Sequence, residues 1–151
     1  MDKQKTIQTL QFFVTNLSNQ AFAHKLQGKM FSSQGFKKLG EKYTGHYDEE
    51  MSWVDKFIDR ILDLGGDIKQ EARAEVKLEN EPCEYIKSEL QISVDGIVLL
   101  RKCMAEVCDD VTTYDIMKEY LKDEEEDMYW SEEQLSLIEK IGYQNWLIKQ
   151  L

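Results

Sequence analysis

The chain of 151 residues has the length of one domain with a single hydrophobic core, so residues 1–151 are predicted to form one domain. Hydrophobic residues make up 42%, which excludes a disordered chain, and no apolar run reaches the roughly 20 residues of a membrane span. The formal net charge of −10 disfavours binding to nucleic acid or to an anionic membrane surface.

The N-terminal segment, MDKQKTIQTL, is polar and of mixed charge, unlike a secretory signal peptide. The chain has three cysteines, Cys83, Cys103 and Cys108, which form no CxxC pair and no even-numbered disulfide framework. We therefore expect reduced thiols in a cytoplasmic protein.

Two long helices are predicted in the first half of the chain, each with a core residue every three or four positions. The first stripe is Ile7, Leu10, Val14, Leu17, Ala21 and His24. It ends at a break containing Ser32, Ser33 and Gly35. The second stripe, which stops at Gly65-Gly66, is Tyr43, Tyr47, Glu50, Val54, Phe57, Ile61 and Leu64. Residues 67–79 are charged and predict a long connection.

Two further helices are predicted in the second half. The third starts near Asn80 and Pro82, and its stripe is Ile86, Leu90, Ser93, Ile97, Leu100, Met104 and Val107. Thr112 or Thr113 is the expected cap of the fourth helix. Its stripe is Met117, Tyr120, Glu124, Asp127, Gln134 or Leu135, and Ile138. Gly142 ends this helix and leaves a short amphipathic tail.

Four helices of about 25 to 30 residues would each be roughly 40 Å long. Short links within each pair and a long link between the pairs predict an all-α four-helix bundle with one long crossover, the connectivity of ferritin-like folds, followed by a short fifth helix. A coiled coil is the competing architecture, and the breaks at Gly35 and Gly65 favour the compact bundle.

Three carboxylates fall on the predicted core faces: Glu50 in the second helix, with Glu124 and Asp127 in the fourth. A buried carboxylate is costly unless it is protonated, paired or bound to a cation, so a hard cation would relieve the repulsion among three of them. The alternative is a wider polar face in which these groups reach solvent or pair with Lys.

The chain has only two histidines, His24 and His46, and no GxSxG, phosphate-binding loop, HExxH or Cys-His cluster. His24 lies on the first stripe, where a core histidine with satisfied hydrogen bonds is the alternative to a metal ligand. With only two histidines, the chain offers few imidazole groups for a zinc site or for acid–base catalysis.

Several stretches of the chain resemble bacterioferritins. The second-helix segment is YDEEMSWVDKFIDRIL (47–62), the fourth-helix segment is LKDEEED (121–127), and the C-terminal segment is LSLIEKIGYQNWL (135–147). Residues 29–39 are similar to the family's first turn. The resemblance covers nearly the whole chain. It implies an iron-storage cage, usually of about 24 subunits, with a di-iron ferroxidase site in each bundle and haem between paired subunits.

The resemblance also gives the ligand positions of the di-iron site, which take a Glu from each of two helices and a Glu-x-x-His from each of the other two. By position, this chain has Leu17, Glu50, Trp53, Ser93, Glu124 and Asp127. The resemblance therefore implies a degraded ferroxidase site. Glu50, Glu124 and Asp127 could hold one divalent cation, with His24 as a nitrogen ligand, or Trp53 could fill the second iron's volume and close the core.

Met51 matches the family's axial haem ligand, which two subunits donate across their dimer interface. Methionine is also a common filler of helix interfaces, so its presence allows haem without requiring it.

The leading hypothesis is a bacterioferritin-like subunit for iron storage or sequestration, with the degraded site described above. The competing hypothesis is a non-catalytic structural paralogue that builds or modifies a shell while a catalytic ferritin paralogue oxidises iron. The resemblance implies a homo-oligomer, with dimers that form a closed shell of about 24 subunits, and the competing hypothesis adds a catalytic ferritin paralogue as a partner. A DNA-protecting cage is weaker because no basic extension is present. We expect Trp130, Tyr143 and Trp146 on outer faces, favouring assembly through the C-terminal helix.

Overall fold

The computed structural model describes all 151 residues and contains five α-helices and no strand. The helices are α1 (Lys3–Ser33), α2 (Lys37–Asp63), α3 (Pro82–Glu106), α4 (Val111–Ile141) and α5 (Tyr143–Ile148). Helix α1 packs chiefly against α2, and α3 chiefly against α4. The predicted all-α arrangement of two helix pairs, a long crossover and a short fifth helix is confirmed.

Local chemistry explains where the helices begin and end. Pro82 starts α3 as predicted, and Gly142, with a φ of 85°, ends α4 in a conformation that favours glycine. The predicted cap of α4 is wrong. The cap is Asp110, whose side chain accepts a hydrogen bond from the Thr113 backbone, while Thr113 itself lies in the first helical turn.

Two apolar clusters fill the bundle at different positions along its length. The first contains Leu10, Phe13, Val14, Leu17, Val54, Phe57, Ile61, Leu64, Leu100, Met104, Val107, Met117 and Tyr120. The second contains Phe31, Leu39, Tyr43, Tyr85, Ile86 and Trp146. In α1, α2 and α3, polar residues lie between the segments that supply the two clusters.

The predicted exposure of the C-terminal aromatic residues is wrong. Trp146 is 0% exposed, and its indole N–H donates to Gln134 Oε1 at 2.9 Å. Trp130 and Tyr143 are partly buried and pack against the second cluster. The helix α5 folds back onto its own bundle because burial of a Trp ring is strongly favourable.

The helices α1 and α2 approach each other closely at two glycines. A Cβ atom on Gly28 would lie 2.7 Å from the Gly40 carbonyl oxygen and 2.8 Å from the Thr44 backbone nitrogen. Only glycine leaves room for the backbones at this separation.

The crossover between α2 and α3 has no helix or strand from residue 67 to 79, as predicted. It is held against α1 by two glutamine side chains. Gln11 accepts from the Lys69 N–H and donates to the Lys69 carbonyl, each at 2.9 Å, and Gln27 makes the same pair of bonds with Glu79. No helix has both the length and the apolar character required to cross a bilayer.

Candidate metal centre

A small cavity of about 20 Å³ lies among the four long helices, between the two apolar clusters. Its polar lining comes from every long helix: Gln20, His24, Tyr43, His46, Glu50, Glu89, Ser93, Glu124, Asp127 and Ser131. A cavity of this size has room for one water molecule or one ion.

His24 is the central hydrogen-bonding residue of this cavity. Its Nδ1 lies 2.5 Å from Glu50 Oε1, and its Nε2 lies 3.0 Å from Glu89 Oε2. Burial would lower the pKa of His24, but the Glu50 and Glu89 carboxylates outweigh burial and raise this pKa well above its ordinary value. The imidazole therefore joins two carboxylates, as the alternative of a core histidine with satisfied hydrogen bonds describes.

His46 lies one turn before Glu50 and has no such partners. Its Nδ1 is 4.0 Å from Glu50 Oε1, and its Nε2 is 3.5 Å from Asp127 Oδ1 but makes no hydrogen bond. Burial, followed by the positive charges of His24 and Lys42, lowers the pKa of His46 to about 3. The neutral ring keeps a lone pair for a ligand.

The carboxyl groups around the cavity respond strongly to burial. Burial and the Glu50 charge raise the pKa of Glu124 to about 7, and burial and the Glu124 charge raise that of Asp127 to about 8. Burial also raises the pKa of Glu50, although the His24 imidazole acts in the opposite direction. Burial would raise the pKa of Glu89 too, but hydrogen bonds from His24 and Tyr85 help to lower it.

The three carboxylates predicted as metal ligands, Glu50, Glu124 and Asp127, all line this cavity. These three residues do not form one group of close ligand atoms. Two other groups do, with atoms that lie within 4.8 Å of one another: His24, His46 and Glu50, and Asp123, Glu124 and Asp127. Cation binding by the predicted trio stays a prediction.

Two residues of the centre, His46 and Glu89, are absent from the predicted set. His46 precedes Glu50 by four residues and Glu89 precedes Ser93 by four, so each shares a helix face with a residue already on a stripe. The second stripe included Tyr47, which is only partly buried and has the Lys25 ammonium 4.6 Å from its ring centroid. His46 takes the core position instead, and its i, i+4 spacing to Glu50 is the signal that could have found it.

Leu17 and Trp53 stand at two of the positions that the resemblance assigns to iron ligands. Leu17 is buried in the first apolar cluster. The Trp53 ring centroid lies 5.7 Å from that of Tyr120, and the indole N–H donates to Asp123 Oδ2 at 3.1 Å. Neither side chain offers a lone pair to a metal, and Ser93 contributes only a buried hydroxyl.

Met51, the predicted haem ligand, is partly buried on α2 and packs against the edge of the first apolar cluster. Leu62 lies about three turns further along the same flank and is 54% exposed. Met51 is not among the residues that line the cavity.

Comparison with known proteins agrees with this architecture. The sequence model of the family described as "Ferritin-like domain" matches residues 8–141. The chain belongs to the ferritin-like family. It is 38% identical over 136 residues to a bacterial ferritin of Neisseria meningitidis serogroup B, covering 88% of this chain and 86% of the relative.

More distant relatives of the ferritin-like chain carry similar names. A bacterial ferritin of Synechocystis is 31% identical over 137 residues, covering 88% of this chain and 85% of the relative. A bacterioferritin of Streptomyces coelicolor is 28% identical over 126 residues, covering 82% and 74%. The predicted resemblance and the ferritin-like bundle are confirmed.

Proposed function

We propose that this chain is an iron-storage subunit in which the two-iron oxidation site has been lost. Family membership supports the general role in iron storage. The observation that carries the finer proposal is the burial of Leu17 and the packing of Trp53 against Tyr120, at positions where the resemblance expects a carboxylate and an imidazole.

A two-iron reaction requires both ions to be held about 3.5–4 Å apart by bridging carboxylates. Here Glu50 is engaged by His24, and Ser93 has replaced one of the family's carboxylates. Glu124 alone would have to bridge the irons. The pocket of about 20 Å³ adds a spatial limit, so at most one divalent cation binds in the cavity lined by Glu50, Glu124 and Asp127.

Iron in such a shell is cargo, and the net charge of −10 suits a protein that attracts Fe²⁺. We propose that the chain forms dimers and a closed shell of about 24 copies. Apolar residues exposed on the outer surfaces of the helices support assembly: Phe12, Phe22, Leu26, Leu62 and Val98. The three cysteines are free, which suits the reducing cytoplasm that we propose as its location.

Haem at the dimer interface is a separate proposal that rests on Met51. A partly buried thioether on the helix flank that also carries the exposed Leu62, about three turns further along, fits a ligand to a flat apolar group lying outside the bundle. A bound haem would supply a one-electron redox centre with Met51 as an axial ligand.

The second candidate function is that of a structural paralogue that completes a mixed shell with a catalytic ferritin. The filled ligand positions at Leu17 and Trp53 favour it equally, because such a subunit needs no oxidation site of its own.

The two functions separate in an experiment on the protein expressed alone. Sedimentation velocity should show a shell, and the purified shell should accumulate an iron core during slow aerobic loading. A shell that takes up iron only when it is co-assembled with a catalytic ferritin would support the structural role instead. A monomer at micromolar concentration would refute the storage role of the chain on its own, and a monomer that also fails to co-assemble with a catalytic ferritin would refute both.

A further inference from the structure

We propose that His24, His46 and Glu50 form a mononuclear site for a divalent transition metal, with Glu89 and Asp127 as supporting carboxylates. On α2 and α3, His46 and Glu89 lie one helical turn before positions that the resemblance assigns to the two irons, and the site shares Glu50 and Asp127 with those positions. It goes beyond the proposed function because it does not depend on iron storage.

The geometry brings one ligand atom from each of the three residues together within 4.8 Å. Atoms bound to one metal at about 2.0–2.2 Å lie roughly 3–3.5 Å apart. The metal would separate His24 Nδ1 from Glu50 Oε1, now 2.5 Å apart, and would draw His46 Nδ1 in from 4.0 Å. Both changes are within the reach of small side-chain rotations.

Each histidine has a carboxylate behind the ring nitrogen that faces away from the proposed metal. Glu89 Oε2 lies 3.0 Å from His24 Nε2, and Asp127 Oδ1 lies 3.5 Å from His46 Nε2. Histidines that bind metals usually donate their second N–H to such a carboxylate, which fixes the tautomer and the ring orientation. His24 has this arrangement, and Asp127 lies close to His46 Nε2 without a hydrogen bond to it.

Two buried polar atoms at the cavity lack partners, and this observation is independent of the carboxylate cluster. They are the hydroxyl of Tyr43 and Nε2 of His46. His46 is 8% exposed, so water does not readily satisfy it from outside. A metal with a bound water would place a hydrogen-bonding group beside Tyr43 and would orient the His46 ring towards Asp127.

The donor set also selects the class of metal. Two imidazole nitrogens and one carboxylate with open positions are typical of Fe²⁺ and Zn²⁺ sites, whereas Mg²⁺ and Ca²⁺ prefer oxygen ligands alone.

Co²⁺ is a suitable probe because its visible absorption reports on its ligands. Titration of the metal-free assembled protein should saturate at one Co²⁺ per subunit, and Zn²⁺ should displace it. His46→Ala should weaken Co²⁺ binding by at least about 100-fold, and Glu89→Gln by about 10- to 100-fold. Because truncation at His46 could loosen the core, His46→Gln, which retains bulk, serves as a second variant. Circular dichroism and sedimentation check the fold of each.

The matched control is Glu126→Gln, which changes an exposed carboxylate of α4 that does not line the cavity. It should retain one Co²⁺ per subunit with the wild-type spectrum. The proposal is overturned if no saturable binding occurs, or if Glu124→Gln abolishes binding while His46→Gln preserves it, since the carboxylate trio would then be the site. Neither result would affect shell formation or iron loading, so this test stands apart from that of the proposed function.

Discussion

The indole N–H of Trp53 on α2 donates a hydrogen bond to Asp123 on α4 across 3.1 Å, at a position where bacterioferritin resemblance expects a metal-binding imidazole. The ring also contacts Tyr120 and has the Lys56 ammonium 4.1 Å from its centroid. At a position where the resemblance expects an iron ligand, this chain therefore has a side chain that links α2 to α4.

Substitution of Trp53 tests this packing role. Trp53→Phe should lower the free energy of unfolding by about 1 kcal/mol through the lost hydrogen bond. Trp53→Ala should lower it by about 2–4 kcal/mol because apolar contacts are lost as well. Urea unfolding measures both, with the exposed Tyr129→Ala as a control that should change little. Equal effects of Trp53→Ala and Tyr129→Ala would contradict the packing role.

The close approach of α1 and α2 predicts opposite responses at two helical glycines. Gly28→Ala should destabilise the protein by about 1–3 kcal/mol because the new Cβ meets the Gly40 carbonyl and Thr44. Gly45→Ala has nothing within 4 Å of its Cβ and should stabilise α2 by up to about 1 kcal/mol. Thermal unfolding of the two variants checks the pair, and a stabilising Gly28→Ala would show that the backbones can separate at no cost.

The surroundings of Asp110 predict how the free energy of unfolding depends on pH. Burial alone would raise the pKa of Asp110, but hydrogen bonds from Thr113 and the Arg60 guanidinium, 2.7 Å away, hold it below its ordinary value. A lowered carboxyl pKa contributes stability that is complete above about pH 4, the unfolded-state value, and is lost as the pH falls through the folded-state value.

Asp110→Asn should therefore cost about 1–3 kcal/mol at pH 7, and the difference from wild type should shrink below about pH 4. Asp115→Asn, at an exposed pair with Lys118, is the control and should cost less than about 0.5 kcal/mol. Urea unfolding at both pH values measures the effect. A difference that is the same at pH 7 and pH 3 would exclude ionised Asp110 as its cause.

Haem binding tests the proposal that Met51 is an axial ligand. Haem added to the assembled protein should give the absorption spectrum of iron with two thioether ligands, and Met51→Leu should abolish that spectrum. Leu62→Met, on the same flank, controls for nonspecific uptake. An unchanged spectrum in Met51→Leu would place the haem elsewhere.

The sequence was sufficient to predict the bundle because four apolar stripes and the breaks between them are local features. The packing of α5 was harder to predict, since Trp146 is buried against residues of other helices and no periodic pattern within α5 indicates that contact. In the candidate site, Glu50, Glu124 and Asp127 were visible as polar residues on core faces. His46 was missed because the neighbouring Tyr47 fits a stripe of apolar residues equally well, although the i, i+4 spacing of His46 to Glu50 places both on one helix face.

Glu89 on α3 is a second site residue that the sequence alone could not identify. Its partner is His24 on α1, and no spacing within α3 indicates that contact. A pairing between helices that lie far apart along the chain depends on the rotation of each helix about its axis, which one sequence does not determine.

The loss of two-iron oxidation is the central claim, and stopped-flow mixing of Fe²⁺ with the metal-free shell under air tests it most directly. The ferric absorbance should rise at a rate close to that of the uncatalysed reaction, with no rapid phase, because Leu17, Trp53 and Ser93 leave no place for a second iron. A rapid phase that consumes two Fe²⁺ per subunit and disappears in Glu124→Ala would contradict it.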